Sequence, residues 1–481
     1  MEEKSASEPV QPCDERSLRA GLRQAWGWAV MFGAGELSFS LFAAHIVAPH
    51  KFFALLTGIP MLLGPLTQAL AANLVDRYRR RKAFVLWSVF SQIVCFVPLT
   101  VLAFCTGGPL VYAVFLLAVS AYFVGGHFGA PAWSSLISEL VPSRRWADYF
   151  ARQSRAVSVL GLVSQLAVGG ALYLAGRWAA PESAARVLSW VFAAGFAIAG
   201  LARLYSFLLV QQMADPPYEV RPDTIFTFWQ FIRRARESNF VHFVSFTALV
   251  YFGTYLSGPF FLPYWQYDLG YQSWQWVVMS AAGTLASILT LLFWGRFSDR
   301  FGNKKAIRYT TFGISLIPFA WMFSTNLYYL VAVNLFSGMV WAGFNLSSWN
   351  YILEAVTPPK RARCVAYFNV FAGAGIFVGA LVGGWLEPWL PPARVAEDKF
   401  SAFWYLLLIS GLIRLGAWVI LLPTFRELRQ VEPFSLRGWV FRIAEARYPV
   451  GVVFDFLGLQ EQKTESTEDR AVSAQRAPRT P

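Results

Sequence analysis

Apolar residues in this chain run in long stretches, and polar residues gather in the short gaps between them. A helix rises about 1.5 Å per residue, so about 20 apolar residues cross a bilayer. Runs of this kind predict twelve crossing helices, at 24–46, 51–73, 83–105, 110–138, 154–176, 187–210, 240–263, 274–295, 306–325, 328–353, 364–386 and 400–422. The gaps carry turn residues, such as Thr106-Gly107-Gly108-Pro109 and Ser324-Thr325-Asn326. One longer polar stretch, 211–239, divides the helices six and six. After Pro216-Pro217 it holds an amphipathic run, Ile225 to Arg236, expected to lie on the membrane surface. A similar mixture, Phe434 to Leu459, follows the last helix, and the polar tail from Glu461 is expected to be disordered. The expected divisions are therefore a tail 1–23, a bundle 24–210, a loop 211–239, a bundle 240–422 and a terminal segment 423–481.

Composition sharpens this picture. The chain has 481 residues, 56% hydrophobic and 14% charged, where soluble domains carry about 25% charged. Residues 1–20 have no apolar core, so no cleavable signal peptide is expected. Cys13, Cys95, Cys105 and Cys364 are scattered, with no metal-ligand or disulfide spacing. A net charge of +13 would suit nucleic acid, but its distribution argues for topology instead. Gaps after even-numbered spans, with their flanks, hold 21 Lys and Arg; the opposite gaps hold five, namely Lys51, Arg177, Arg186, Arg394 and Lys399. Basic residues resist translocation, which predicts that both termini are cytoplasmic and that no nucleic acid is bound.

The two halves repeat. Ala72 to Lys82 reads A-N-L-V-D-R-Y-R-R-R-K, and Gly295 to Lys305 reads G-R-F-S-D-R-F-G-N-K-K. Gly200-Leu-Ala-Arg-Leu204 matches Gly411-Leu-Ile-Arg-Leu415. Trp133, Glu139, Arg145 and Tyr149-Phe150 match Trp349, Glu354, Arg363 and Tyr367-Phe368, and Gly169-Gly170 matches Gly383-Gly384. Four pairs in one order mark a duplication.

On these residues the chain resembles the major facilitator superfamily, whose signature between spans 2 and 3 is G-x-L-a-D-R-x-G-R-K. The second copy matches at Gly295, Asp299, Arg300, Gly302, Lys304 and Lys305. The first departs, with Ala72 for the first Gly and Arg79 for the second, while Asp76, Arg77, Arg80 and Arg81 remain. The resemblance covers roughly residues 24 to 422. Trp341 to Asn350 and Gly258-Pro259-Phe260-Phe261 look like bacterial members. It implies an all-α membrane protein of two pseudo-symmetric six-helix bundles, a monomer in the inner or plasma membrane, with spans 1, 4, 7 and 10 around a central cavity. An acid at a cytoplasmic helix end can pair with Arg and with a helix N-terminus of the other half. The gating candidates are therefore Asp76 with Arg77 and Arg80, Asp299 with Arg300, Glu139 with Arg145, and Glu354 with Arg363.

Ionisable residues inside a bilayer are costly and point to function. Glu36, near the middle of span 1, is the candidate for facing substrate or carrying a coupling proton; His127 in span 4 is a candidate relay. Arg203 and Arg414 occupy equivalent places in peripheral spans and are expected to be architectural, within snorkelling reach of headgroups. In span 10, Asn334, Trp341, Asn345 and Ser348 fall near one helix face, with Trp349 adjacent. Tyr251 and Tyr255 lie one turn apart in span 7, and Gln165 and Gln68 add hydrogen-bonding groups. Such a cavity suits an amphipathic, aromatic or cationic compound, or a sugar stacked on Trp. Span 5 carries Gly161 and Gly169-Gly170 but no proline, unlike the Gly-Pro-rich signature of drug antiporters. No cofactor is expected beyond a coupling proton. The readings that follow are a secondary active transporter, a non-transporting sensor on the same fold, or a membrane-embedded enzyme. The missing phosphate loop, nucleophile motif and metal-ligand cluster weigh against the last.

Overall fold

The computed structural model describes residues 15–142, 145–180, 182–216, 238–356, 361–396 and 399–429. Both amphipathic segments, 225–236 and 434–459, lie outside the described residues. Twelve helical rods occur among the described residues. They are α1 (Glu15–His45), α2 (His50–Tyr78), α3 (Arg81–Leu102), α4 (Pro109–Leu140), α5 (Trp146–Trp178), α6 (Ala184–Gln211), α7 (Asn239–Asp268), α8 (Ser273–Phe301), α9 (Asn303–Phe323), α10 (Leu327–Ala355), α11 (Arg361–Leu386) and α12 (Phe403–Thr424). Eleven are long and apolar enough to cross a membrane. The exception, α9, opens on Asn303, Lys304 and Lys305 and carries Thr310, Thr311 and Ser315 on its buried side. Large apolar side chains, among them Trp87, Val97, Leu117, Trp190, Leu201 and Ile420, are exposed on the outside of the rods. Water would not tolerate so broad an apolar surface, and the molecule is an integral membrane protein.

Three features differ from the sequence expectation. The first rod begins at Glu15 rather than at 24, because the helix continues past its apolar part. Two short antiparallel strands, β1 (Ala393–Ala396) and β2 (Lys399–Ser401), join α11 to α12, so the fold is nearly but not wholly helical. Arg203 and Arg414 do not snorkel: they are 7% and 2% exposed, and both bond groups inside their own half.

Each half packs round its own aromatic core. Half 1 (α1–α6) gathers Phe39, Phe42, Phe96, Phe115, Phe192 and Phe196; half 2 (α7–α12) gathers Phe243, Phe246, Trp265, Trp321, Tyr351 and Phe425. The halves meet where α2 lies along α11 and α5 along α8. The first rod of each half is broken. In α1 the chain tightens into a 3-10 turn at Glu36–Ser38; in α7 it does so at Gly258–Phe260, where Pro259 cannot donate a backbone bond. On α11, Gly375, Gly379 and Gly383 face the carbonyl oxygens of Ala248, Phe252 and Leu256 on α7, so closely that a Cβ would collide. Small residues four apart let two backbones touch along one seam.

Candidate functional site between the two halves

The rods begin and end so that the start of α1 and the finish of α12 share one end of the molecule with the Arg- and Lys-rich turns α2–α3 and α8–α9. This is called the basic end, and the other the far end.

At the far end the halves are tied together. The Tyr267 hydroxyl of α7 donates to the Ala48 carbonyl at 3.1 Å and lies 3.4 Å from that of Ala44. His50 of α2 stacks on Tyr267 with ring centres 5.6 Å apart, and its Nδ1 bonds Glu387 after α11. Tyr173 of α5 meets Trp274 of α8 edge-on at 5.1 Å. Sequence reading passed over His50 and Glu387, which lie in different halves and are joined only by the fold.

At mid-depth, two seams carry the polar groups. On one, Gln68 of α2 accepts from Asn369 of α11 at 3.0 Å and from His127 Nδ1 of α4 at 3.3 Å. On the other, Gln165 of α5 donates to Ser280 of α8 at 2.6 Å, and its buried Oε1 has no partner among the described residues. Asn369 and Ser280 were missed, although each is a polar residue inside an apolar run. Half 2 presents an aromatic wall: the Tyr251 ring stacks with Trp341 at 6.0 Å and sits 6.4 Å from Tyr255. The Tyr251 hydroxyl donates to Asn345 Oδ1 at 3.4 Å. Asn345 and Trp349, four apart on α10, are exposed, Trp349 by 48%. An amide left open in the middle of a membrane helix needs a polar or watery neighbour. Of the predicted stripe, Asn334 bonds its own helix at Leu330 and Ser348 is buried.

Glu36 lies elsewhere. Its carboxylate sits inside half 1 and accepts from the buried Tyr122 hydroxyl of α4 at 2.6 Å. The structure thus brings Tyr251, Tyr255, Trp341, Asn345 and Trp349 to one wall, places Gln165 and His127 at the two seams, and keeps Glu36 within its own bundle.

At the basic end the charges pair differently from the sequence expectation. Asp76 Oδ2 of α2 lies 3.6 Å from Arg363 Nη2 in the first turn of α11, a bridge between halves. Glu139 pairs with Arg81 at 2.5 Å rather than with Arg145, because Arg81, 1% exposed, reaches back across α4. Arg145 instead pairs with Glu15 at 2.5 Å. Glu354 pairs with Arg429, not with Arg363, and accepts from Asn303 at 2.7 Å. Asp299 is exposed and makes no hydrogen bond or ion pair among the described residues. Arg77 and Arg300 lie against the rings of Tyr78 and Phe301 at 5.9 and 5.3 Å, and Arg80 is exposed at the start of α3. The two turns share a positive φ but not a shape, with ψ 23° at Arg79 and 153° at Gly302. Arg79 has φ 56° and Gly302 has φ 93°, both in the left-handed half of backbone space.

Comparison with known proteins places this geometry. A family model described as Major Facilitator Superfamily matches residues 243–441. The uncharacterized MFS-type transporter YuxJ of Bacillus subtilis is 29% identical over 32% of this chain. The multidrug resistance protein MdtG of Proteus mirabilis is 27% identical over 28% of it. Each alignment spans 36% of the relative's own length. The fold is similar over far more of the chain. A D-xylose-proton symporter covers 87% of this chain and 98% of its own, with TM-score 0.61 and 15% identity. A bacterial homolog of the human lysosomal transporter Spinster, solved inward-facing and unoccupied, covers 85% and 98%, with TM-score 0.60 and 15% identity.

Proposed function

We propose that this chain is a member of the major facilitator superfamily and a secondary active transporter that carries a small molecule by alternating access. The relatives and neighbours named above are all transporters, which favours this over an enzyme. The observation that carries the reading is the open face of α10: Asn345 and Trp349 stand exposed beside the Tyr251–Trp341 stack while the far end is tied across the halves. In this reading the basic end is cytoplasmic, the membrane is the inner or plasma membrane, and the site opens inward. Rocking of one half against the other would then expose the same wall outward.

The wall supports a substrate with a flat or apolar body and a hydrogen-bonding group. A ring can stack on Trp341 while Asn345 bonds its polar edge. The coupling ion in this proposal is the proton, held on Glu36, whose carboxyl is withdrawn from water at the break in α1 and bonded by Tyr122. Transfer of that proton would change the Glu36–Tyr122 bond, which joins α1 to α4.

The test is flux. Ligands that raise the unfolding temperature of the purified chain are offered to liposomes with an imposed pH gradient. Transport of at least one, reduced at least tenfold by Trp341→Ala and by Asn345→Ala with normal insertion, is the expected result. Stabilising ligands that never cross the membrane would instead favour a sensor on this fold.

A further inference from the structure

Half 1 contains a feature that the interface does not use. α1, α3, α4, α5 and α6 enclose a cavity of about 370 Å³. Its walls include Trp28, Trp133, Gln24, Gln92, Gln153 and Arg203. Arg203 is 7% exposed. Among the described residues its one hydrogen bond runs from Nε to Gln92 Oε1, at 2.9 Å, and it forms no ion pair. Glu36 is occupied with Tyr122. Neither Nη nitrogen of Arg203 bonds another side chain or carbonyl among the described residues.

The repeat partner shows that this is not what the position demands. Arg414 directs Nη1 to the Ile314 carbonyl at 3.1 Å and Nη2 to Ser410 Oγ at 2.8 Å. It is neutralised by local dipoles within half 2. A guanidinium that lines a cavity within a membrane bundle favours an anion beside it. The planar fork fits two oxygens of a carboxylate or phosphate at once.

We propose that this cavity binds a small anion, its carboxylate or phosphate clamped by the Nη groups of Arg203 and its body flanked by Trp28 and Trp133. The anion is either a free aromatic carboxylate or phosphate, or the headgroup of an anionic lipid. The site lies within one half and stands apart from the Tyr251–Trp341 wall, so it does not depend on what that wall carries.

Lipid-depleted, full-length protein is titrated with benzoate, with inorganic phosphate and with short-chain phosphatidylglycerol. Binding is read by calorimetry and by the shift in unfolding temperature. Saturable binding of at least one probe is expected, weakened at least tenfold by Arg203→Gln and partly restored by Arg203→Lys. A response to benzoate or phosphate assigns a free anion; a response to phosphatidylglycerol alone assigns a lipid. Should Arg203→Gln fail to fold, Gln153→Leu and Trp133→Ala, at half-buried wall positions, carry the same comparison. Equal binding by variant and parent, or no saturable response to any of the three probes, overturns the site.

Discussion

Arg79 occupies a backbone conformation that suits glycine. Its φ of 56° brings Cβ against the following carbonyl, at a cost of about 1–2 kcal/mol for an L-residue. Gly302 ends α8 at the equivalent turn without that cost. Arg79→Gly is therefore expected to stabilise the protein by about 1 kcal/mol, read as a higher unfolding temperature, and Gly302→Arg, at φ 93° and ψ 153°, to destabilise it by more than that. No change in either would mean that the turn relaxes. The mismatch between the two copies was legible in the sequence; that both turns take a positive φ was not, since a basic run reads the same in any backbone shape. Pairing was hidden for a related reason. Glu139, Glu354, Arg145 and Arg363 were visible as charges near helix ends, but each lies within reach of several partners. Exposed pairs contribute about 0–1 kcal/mol, too little for spacing alone to choose between them. The Glu139–Arg81 pair is different, because Arg81 is buried. Glu139→Gln removes the ion pair while Arg81 keeps its bonds to Ser135 and to the Pro216 carbonyl, and should cost about 1–3 kcal/mol in unfolding experiments.

The glycine row of α11 makes the case for elements. Glycines at every fourth position, Gly375, Gly379 and Gly383, permit a close helix contact, yet nothing in the sequence says that the partner is α7, since any smooth helix would serve. The register shows it: each glycine sits over one carbonyl, four residues apart on both rods. Gly379→Val forces the rods apart and is expected to cost about 1–3 kcal/mol. Gly170→Ala, with nothing within 4 Å of an added Cβ, should be neutral, and thermal unfolding in detergent separates the two. Span positions were legible because hydropathy follows the membrane closely. The start of α1 was not, because a helix runs on into water where hydropathy no longer marks it. The breaks in α1 and α7 were half visible, through Pro259 in α7 but only a Gly-Ala-Gly run in α1.

Across the whole molecule the duplication is not played out evenly. The repeat equates Asp76 with Asp299 and Arg363 with Arg145. One cross-pair, Asp76–Arg363, is made at 3.6 Å; its twin is not, because Arg145 is held by Glu15. At the basic end an ion pair thus joins α2 to α11, and among the described residues Asp299 of α8 makes none with α5. In the opposite state of the cycle proposed above, Arg145 is expected to exchange Glu15 for Asp299. Spin labels at Arg152 and Arg296 should then show two distances, whose proportions shift when substrate is added. Asp299→Asn should lower transport while leaving insertion intact; normal transport by that variant would remove the aspartate from the mechanism.

The bond between Glu15 and Arg145 also makes the front of the chain a competitor. While Arg145 is turned to Glu15 it is drawn away from Asp299, so Glu15 is expected to compete with Asp299 for it. Because the Glu15–Arg145 bond is exposed on both sides and worth at most about 1 kcal/mol, it biases the resting state without trapping it. Shortening the chain before residue 16, or adding an acidic tag there, becomes a way to tune how long the protein rests open.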